Sequence, residues 1–422
     1  MKYEPTLHKL SNGVTVILDP MDIETVAVKV CFATGSRDET PENYGITHFC
    51  EHMLVKGTKR FVSYKDLKDY IEYKGGVFNA STSNTRLQLY GRIIAENTSD
   101  LLEVFADVLQ NPLFDSDKIE IERNVILDEF RRAQGNDQRK FSNLVDTNLF
   151  GFSSFRTLGT EENIKSFTRE QMLSWLHKRL SAKNCVICMS GCIDDVSATI
   201  EKLEDLFAFL PTQDVPTNKE LVYTPCDKFL YEPKLKNVWI NILFPYIRPD
   251  TYENTYENLA ESKFRKYLIQ ELNEVVRQKN GLVYGLGYAG YGNEFTGVRG
   301  IGTETSPENL ERAVALIAQT TYRVYTHDKI TKDIIERFAN IHKLVDADFL
   351  ESASQRRDVL IANWQDYGVL YDFNQIVEMD RRINVSDVLN ACLGCFDGAM
   401  SIMSFGAKHD LDLRKIWIDN FK

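Results

Sequence analysis

The chain has 422 residues, 43% hydrophobic and 26% charged, an ordinary globular composition too long for one core and therefore expected to form two or more domains. A net charge of −11 argues against nucleic acid as a partner and leaves only a mild preference for basic substrates. No stretch approaches the ~18 apolar residues of a membrane span, and Met-Lys-Tyr-Glu-Pro at the start reads as neither a signal peptide nor an Arg-rich presequence. A soluble cytoplasmic protein without a membrane partner is expected, or one of an organelle matrix or the periplasm if a targeting segment has been removed.

In chain order, residues 10–19 read as a turn followed by a strand, and 26–34 as a second apolar strand ended by Gly35-Ser-Arg-Asp38. A helix follows Gly45, with Thr47 or Asn43 as candidate caps. Ser63 to Tyr73 forms the next helix, closed by Gly75-Gly76. Residues 77–82 are extended and pair with 86–93. Ser99 caps a helix to about Leu109, and a long charge-rich helix runs from Asp115 to about Arg132. Cys185 to Ser190 closes the first half as a strand.

The helix after Gly45 carries the most informative pattern, His48-Phe-Cys-Glu-His52. Positions four apart on a helix share one face, so His48 and His52 sit one above the other, with Glu51 on the same side. Two imidazoles and a carboxylate so placed can hold one divalent metal and the base that activates its water. This is the reverse of the commoner His-Glu-x-x-His order. The bland alternative is two solvated histidines on a surface helix.

The eight cysteines include two Cys-x-x-Cys pairs, Cys185/Cys188 and Cys392/Cys395. A four-thiolate zinc site is conceivable. On a buried strand, however, residues three apart point to opposite faces, and the second pair falls in a helix. Both pairs are read as small apolar core residues.

The second half repeats the first. Residues 238–244 match 26–32, Gly281-Leu-Val-Tyr284 matches Gly75-Gly-Val-Phe78, Thr305-Ser306 matches Thr98-Ser99, Glu336-Arg337 matches Glu122-Arg123, and Met403-Ser404 echoes Met189-Ser190. The consistent offsets indicate a tandem duplication of an α/β-mixed unit. Residues 1–212 form one domain, 213–228 a linker, and 229–422 the second domain. The position equivalent to His48 falls near Ala260-Glu-Ser-Lys-Phe264, which has no His, so the metal chemistry belongs to one copy.

A zinc site needs a third ligand and one open position for hydrolysis. Glu122 and Glu129, two turns apart on the charge-rich helix, are the candidates, though glutamates on such a helix are usually just solvated.

Here the sequence resembles a known family. Gly35-Ser-Arg-Asp-Glu39, Gly45-Ile-Thr-His-Phe-Cys-Glu-His52 with its continuation to Thr58, Gly75-Gly-Val-Phe-Asn-Ala80, Glu122-Arg-Asn-Val-Ile-Leu-Asp-Glu129, Leu158-Gly-Thr160 and Arg277-Gln-Lys-Asn-Gly-Leu-Val-Tyr284 resemble the M16 (pitrilysin) zinc metallopeptidases, in the family's order and over nearly the whole chain. The size is similar to the processing-peptidase-like branch. The resemblance implies one Zn2+ per chain on His48, His52 and Glu129, with Glu51 as general base and Glu122 in support. It places substrate backbone on an edge strand at Asn79 and Ala80, and completes the site with Arg277 and Tyr284 from an opposing half. Read from their residues alone, Arg277 and Tyr284 would be a surface Arg and a core-facing strand Tyr. The loop Gly151-Phe-Ser-Ser-Phe-Arg156 lacks the His-Pro often found there, which bears on loop shape and not on the metal.

Gly285-Leu-Gly-Tyr-Ala-Gly290 fits a dinucleotide fingerprint, but that motif opens a helix, whereas these residues read as part of a hairpin. The expectation is an α+β protein of two tandem, similar domains, each a mainly antiparallel sheet packed on helices. Its expected activity is zinc-dependent endopeptidase cleavage of extended or unfolded peptides, as a homodimer that completes its own site. The alternatives are a catalytic subunit needing a different partner chain, or a non-catalytic core-like structural subunit.

Overall fold

A computed structural model describes residues 3–216, 222–246, 251–292, 296–326, 330–394, 396 and 399–422. Part of the expected linker, 217–221, and Cys395 lie outside the described residues.

The chain forms two compact units: Met1–Asn136 with Ser154–Lys219 and Val345–Phe373, and Asp137–Ser153 with Glu220–Leu344 and Asn374–Lys422. Each takes in a helical segment from the other half of the sequence.

The first unit is built on a six-stranded sheet. Its strands are β1 (Thr6–Lys9), β2 (Thr15–Pro20), β3 (Thr25–Phe32), β4 (Gly76–Thr82), β5 (Leu87–Ile94) and β6 (Cys185–Gly191). Their spatial order is β1-β2-β6-β3-β5-β4, and only the β2–β6 pair is parallel. β3 and β6 are buried along almost their whole length because helices cover both faces. One cover is the helix Ala353–Tyr367, laid on β3 and β6. Arg356 on that helix is wholly buried and forks onto Asp19 of β2, with Nε–Oδ2 at 2.7 Å. Arg357 donates to the carbonyls of Val28 and Gly91, and Lys29 of β3 pairs with Asp358 at 2.6 Å.

The second unit contains β7 (Lys228–Tyr231), β8 (Val238–Pro245), β9 (Leu286–Gly292), β10 (Gly297–Thr305) and β11 (Ser401–Gly406), in the order β7-β11-β8-β10-β9. β7 and β11 are parallel and the remaining pairs antiparallel. The first sheet without β1 has this same order and pattern, so the repeat read from the sequence is a repeat of topology. Phe141 of the helix Asp137–Phe150 packs on Trp239 and Phe405 of the second sheet.

Some local expectations shift. Gly281–Tyr284, matched to the start of β4, forms the turn ahead of β9. The Gly285–Gly290 motif runs into β9, a strand of the expected hairpin. The helix at Thr98–Gln110 has Asn97 as its N-cap, not Ser99. Cys185, Cys188 and Cys392 are buried and unbridged.

Candidate functional site

The His-x-x-Glu-His segment lies on the helix Ile46–Leu54, the metal helix. Neither Thr47 nor Asn43 caps it. The N-cap is Gly45, in the left-handed region at φ 93°. A Cβ at Gly45 would come within 2.6 Å of the Gly159 Cα, so the Leu-Gly-Thr turn can pass beneath the helix start only because both residues are glycine. The capping acceptor comes from further back. Glu39 takes hydrogen bonds from the Gly45 and Thr47 amides at 2.7 and 2.9 Å. A carboxylate here satisfies first-turn donors and suits the positive end of the helix dipole. Trp175 Nε1 donates to Thr47 Oγ1 at 3.0 Å, and Asp38 is ion-paired with Arg179 at 2.6 Å.

The helix Ser116–Gly135 presents both candidate glutamates to the metal helix. Nε2 of His48 and Nε2 of His52 lie 3.7 and 3.8 Å from Glu129 Oε2. Among the described residues these three form the one group of His, Cys, Asp and Glu that could hold a metal, with their donor atoms all within 4.8 Å of one another. Tetrahedral zinc with ordinary bond lengths would separate its ligand atoms by about 3.4 Å, and the two nitrogen–oxygen distances lie within a few tenths of an ångström of that. Glu122 is buried and sits one step out: its Oε2 is 3.0 Å from His52 Nδ1, and its Oε1 is 2.8 Å from Lys56 Nζ. With Nδ1 of His52 donating to Glu122, Nε2 keeps its lone pair for a ligand. Burial pushes the Glu122 carboxyl up, but His52 and Lys56 outweigh it and hold it below the ordinary range.

Glu51 faces the edge strand β4 at Thr82. Burial raises its carboxyl above the ordinary value, opposed by His52 and Thr82 and reinforced by the charge of Glu129. Among the described strands β4 pairs with β5 alone, which makes it an edge strand. The Ala80 amide is held by its neighbour's side chain, Asn79 Oδ1, at 2.9 Å, and is not spent on β5.

Arg277 and Tyr284 belong to the second unit. Arg277 lies in a π-helical stretch, Asn273–Lys279, with its guanidinium 5.6 Å from the Tyr284 ring centroid. Tyr284 is 88% exposed, so it is not the core-facing tyrosine that its residues alone suggested. Sequence reading gave no role to Lys56, Thr82 or Trp175. Lys56 lies past the end of the metal helix, where no helical period marks it.

Residues 15–157 match the family described as insulinase (peptidase family M16), and residues 166–341 match the peptidase M16 inactive domain. The chain belongs to the M16 peptidases. An uncharacterized zinc protease of Rickettsia bellii is 26% identical over 96% of this chain and 98% of its own. The probable mitochondrial-processing peptidase subunit beta of Arabidopsis thaliana is 33% identical over 52% of this chain and 41% of its own. A protease from Helicobacter pylori has the same fold, with a TM-score of 0.81 at 17% identity over 96% of this chain and 100% of that one. Its M16 membership and relatives named as zinc proteases bring the protein into a protease family.

Proposed function

We propose that this M16 protein is a zinc-dependent endopeptidase that hydrolyses extended or unfolded peptides. The convergence of His48 Nε2, His52 Nε2 and the Glu129 carboxylate, with Glu51 beside them, carries the reading. His48, His52 and Glu129 are the proposed ligands of one zinc ion per chain. When bound, zinc supplies Lewis acidity, lowering the pKa of water and polarising a carbonyl. Glu51 accepts the proton of the attacking water and returns it to the leaving amide nitrogen. Glu122 orients His52. The open edge of β4 at Asn79 and Ala80 takes the substrate backbone as an added strand, largely independent of side chains.

The test is cleavage of a quenched peptide library by the purified protein. Activity lost on chelation, restored by zinc and reduced ~10²–10⁴-fold in Glu51→Gln is expected. Undiminished activity in Glu51→Gln would sink the mechanism.

Arg277 and Tyr284 are proposed to stabilise the developing oxyanion across a homodimer. Mixing two inactive variants, Glu51→Gln and Arg277→Ala, should then restore roughly a quarter of the activity by subunit exchange. No recovery would count against it. The name "subunit beta" in the Arabidopsis relative supports a second reading, a catalytic subunit that needs a different chain. A cytoplasmic location is the proposed setting.

A further inference from the structure

The second unit repeats the strand order of the first, and the helix Tyr252–Leu272 follows β8 as the metal helix follows β3. The helix Lys332–Glu351 carries Glu336-Arg337, the sequence match of Glu122-Arg123, and so stands for the glutamate helix of the first unit. Where the first pair of helices brings together metal donors, this pair brings together two amines and an imidazole. Lys263 and Lys266, on one face of their helix, both reach His342. Asp380, on the helix Phe373–Arg382, closes the group. All four residues belong to the second unit.

The hydrogen bonds assign the protons. His342 Nδ1 lies 2.9 Å from Asp380 Oδ1 and donates to it, which turns the lone pair of Nε2 toward its partner, Lys266 Nζ. Burial pushes the Asp380 carboxyl up, but His342 and Lys263 outweigh it and hold it below the ordinary range. Lys263 Nζ pairs with the same carboxylate oxygen at 2.7 Å, on a side chain only 1% exposed. Lys263 is therefore the amine that Asp380 keeps charged. Lys266 is held by a ring nitrogen instead. Burial and then the charge of Lys263 pull its ammonium below the ordinary amine value, with Arg265 adding to them and Asp380 opposing. An amine reacts as a nucleophile only when neutral, so these neighbours favour its reactive form. Lys263 is shut away from reagents, whereas Lys266 is only half-buried.

We propose that Lys266 is a modification site, a reactive amine that accepts the acyl group of small acyl thioesters with His342 as the proton acceptor. The neutral nitrogen attacks the thioester carbonyl carbon; the C–N bond forms and the C–S bond breaks. The thiolate leaves with the bonding electron pair, and the proton lost by nitrogen passes to His342 Nε2. A thiolate departs without taking up a proton, which suits a site whose base is committed to the amine. The product is an uncharged amide. None of this depends on the metal site.

The test is incubation of the full chain at pH 7 with S-acetyl-N-acetylcysteamine, with acetylation of each lysine followed over time by peptide mass mapping. Lys266 should be acetylated about tenfold faster than Lys332, whose side chain is 83% exposed. His342→Gln removes the proton acceptor and should slow Lys266 about tenfold or more, with the rate at Lys332 unchanged. Lys263→Met removes the repelling charge and should move the pH midpoint of Lys266 acetylation upward, which a purely structural role for Lys263 would not do. Should either variant fail to fold by circular dichroism, the other decides. Acetylation of Lys266 no faster than of Lys332, a normal rate at Lys266 in folded His342→Gln, or an unmoved midpoint in folded Lys263→Met would overturn the proposal.

Discussion

His52 shows how much of this chemistry rests on single residues behind the reacting atoms. Its Nδ1 is engaged by Glu122, and Glu122 is in turn held by Lys56. Replacing Glu122 with Ala leaves His52 free to rotate and change tautomer. Zinc affinity, read by competition with a chromogenic chelator, should fall 10–100-fold, while far-UV circular dichroism stays unchanged. Unaltered affinity would show that Glu122 does not orient the ligand. Glu39 acts at longer reach, through the start of the metal helix. Burial raises its carboxyl to about 7, so the folded chain keeps a proton that the unfolded chain releases near 4.5. Its contribution to stability is therefore fully present below the unfolded value and is lost as pH rises through about 7. Urea unfolding of the metal-free protein should show wild type losing up to about 3 kcal/mol more than Glu39→Gln between about pH 5 and pH 8. Parallel profiles for the two would contradict this.

Among the elements, β4 does the most for the proposed activity with the least. As the edge strand it keeps main-chain groups available that an interior strand would spend on a neighbour. Asn79 occupies one of them, the Ala80 amide, with its own side chain. A peptide adding to β4 would have to displace that contact, which costs about one hydrogen bond. Ala80→Pro removes the donor altogether. It should raise KM about tenfold, the worth of roughly one hydrogen bond, with kcat little changed. A drop confined to kcat would place the effect on chemistry and not on strand addition. The edge position of β4 was expected from family resemblance. The stretch also contains Gly76, which packs beneath Ile93 and Ile71, where a side chain would collide.

At the scale of the molecule, the first unit is completed by residues 345–373, from far along the chain. Arg356 meets Asp19 there with both side chains wholly buried. Removing one member of such a pair typically costs about 3–5 kcal/mol, because the other charge stays buried alone. A fragment of residues 1–212 should accordingly lack a cooperative thermal transition, and appending 345–373 should restore one. A cooperative melt of 1–212 alone, at the temperature of the full chain, would contradict this.

The sequence by itself determined the local geometry of the metal helix. Two histidines four apart must share a face, whatever surrounds them. It also determined the repeat of topology, because matched elements at a constant offset build matched sheets. Spacing alone could not choose between Glu122 and Glu129; family resemblance made that choice, and the packing brings Glu129 to the Nε2 atoms and Glu122 to Nδ1 of His52. Tertiary structure alone decided that Glu39 caps the metal helix and that Arg356 is buried. Neither follows a helical or strand period. A cap delivered six to eight residues back along an irregular loop leaves no repeating signal. An arginine on a helix reads as surface until the carboxylate that meets it, 337 positions away, is brought alongside.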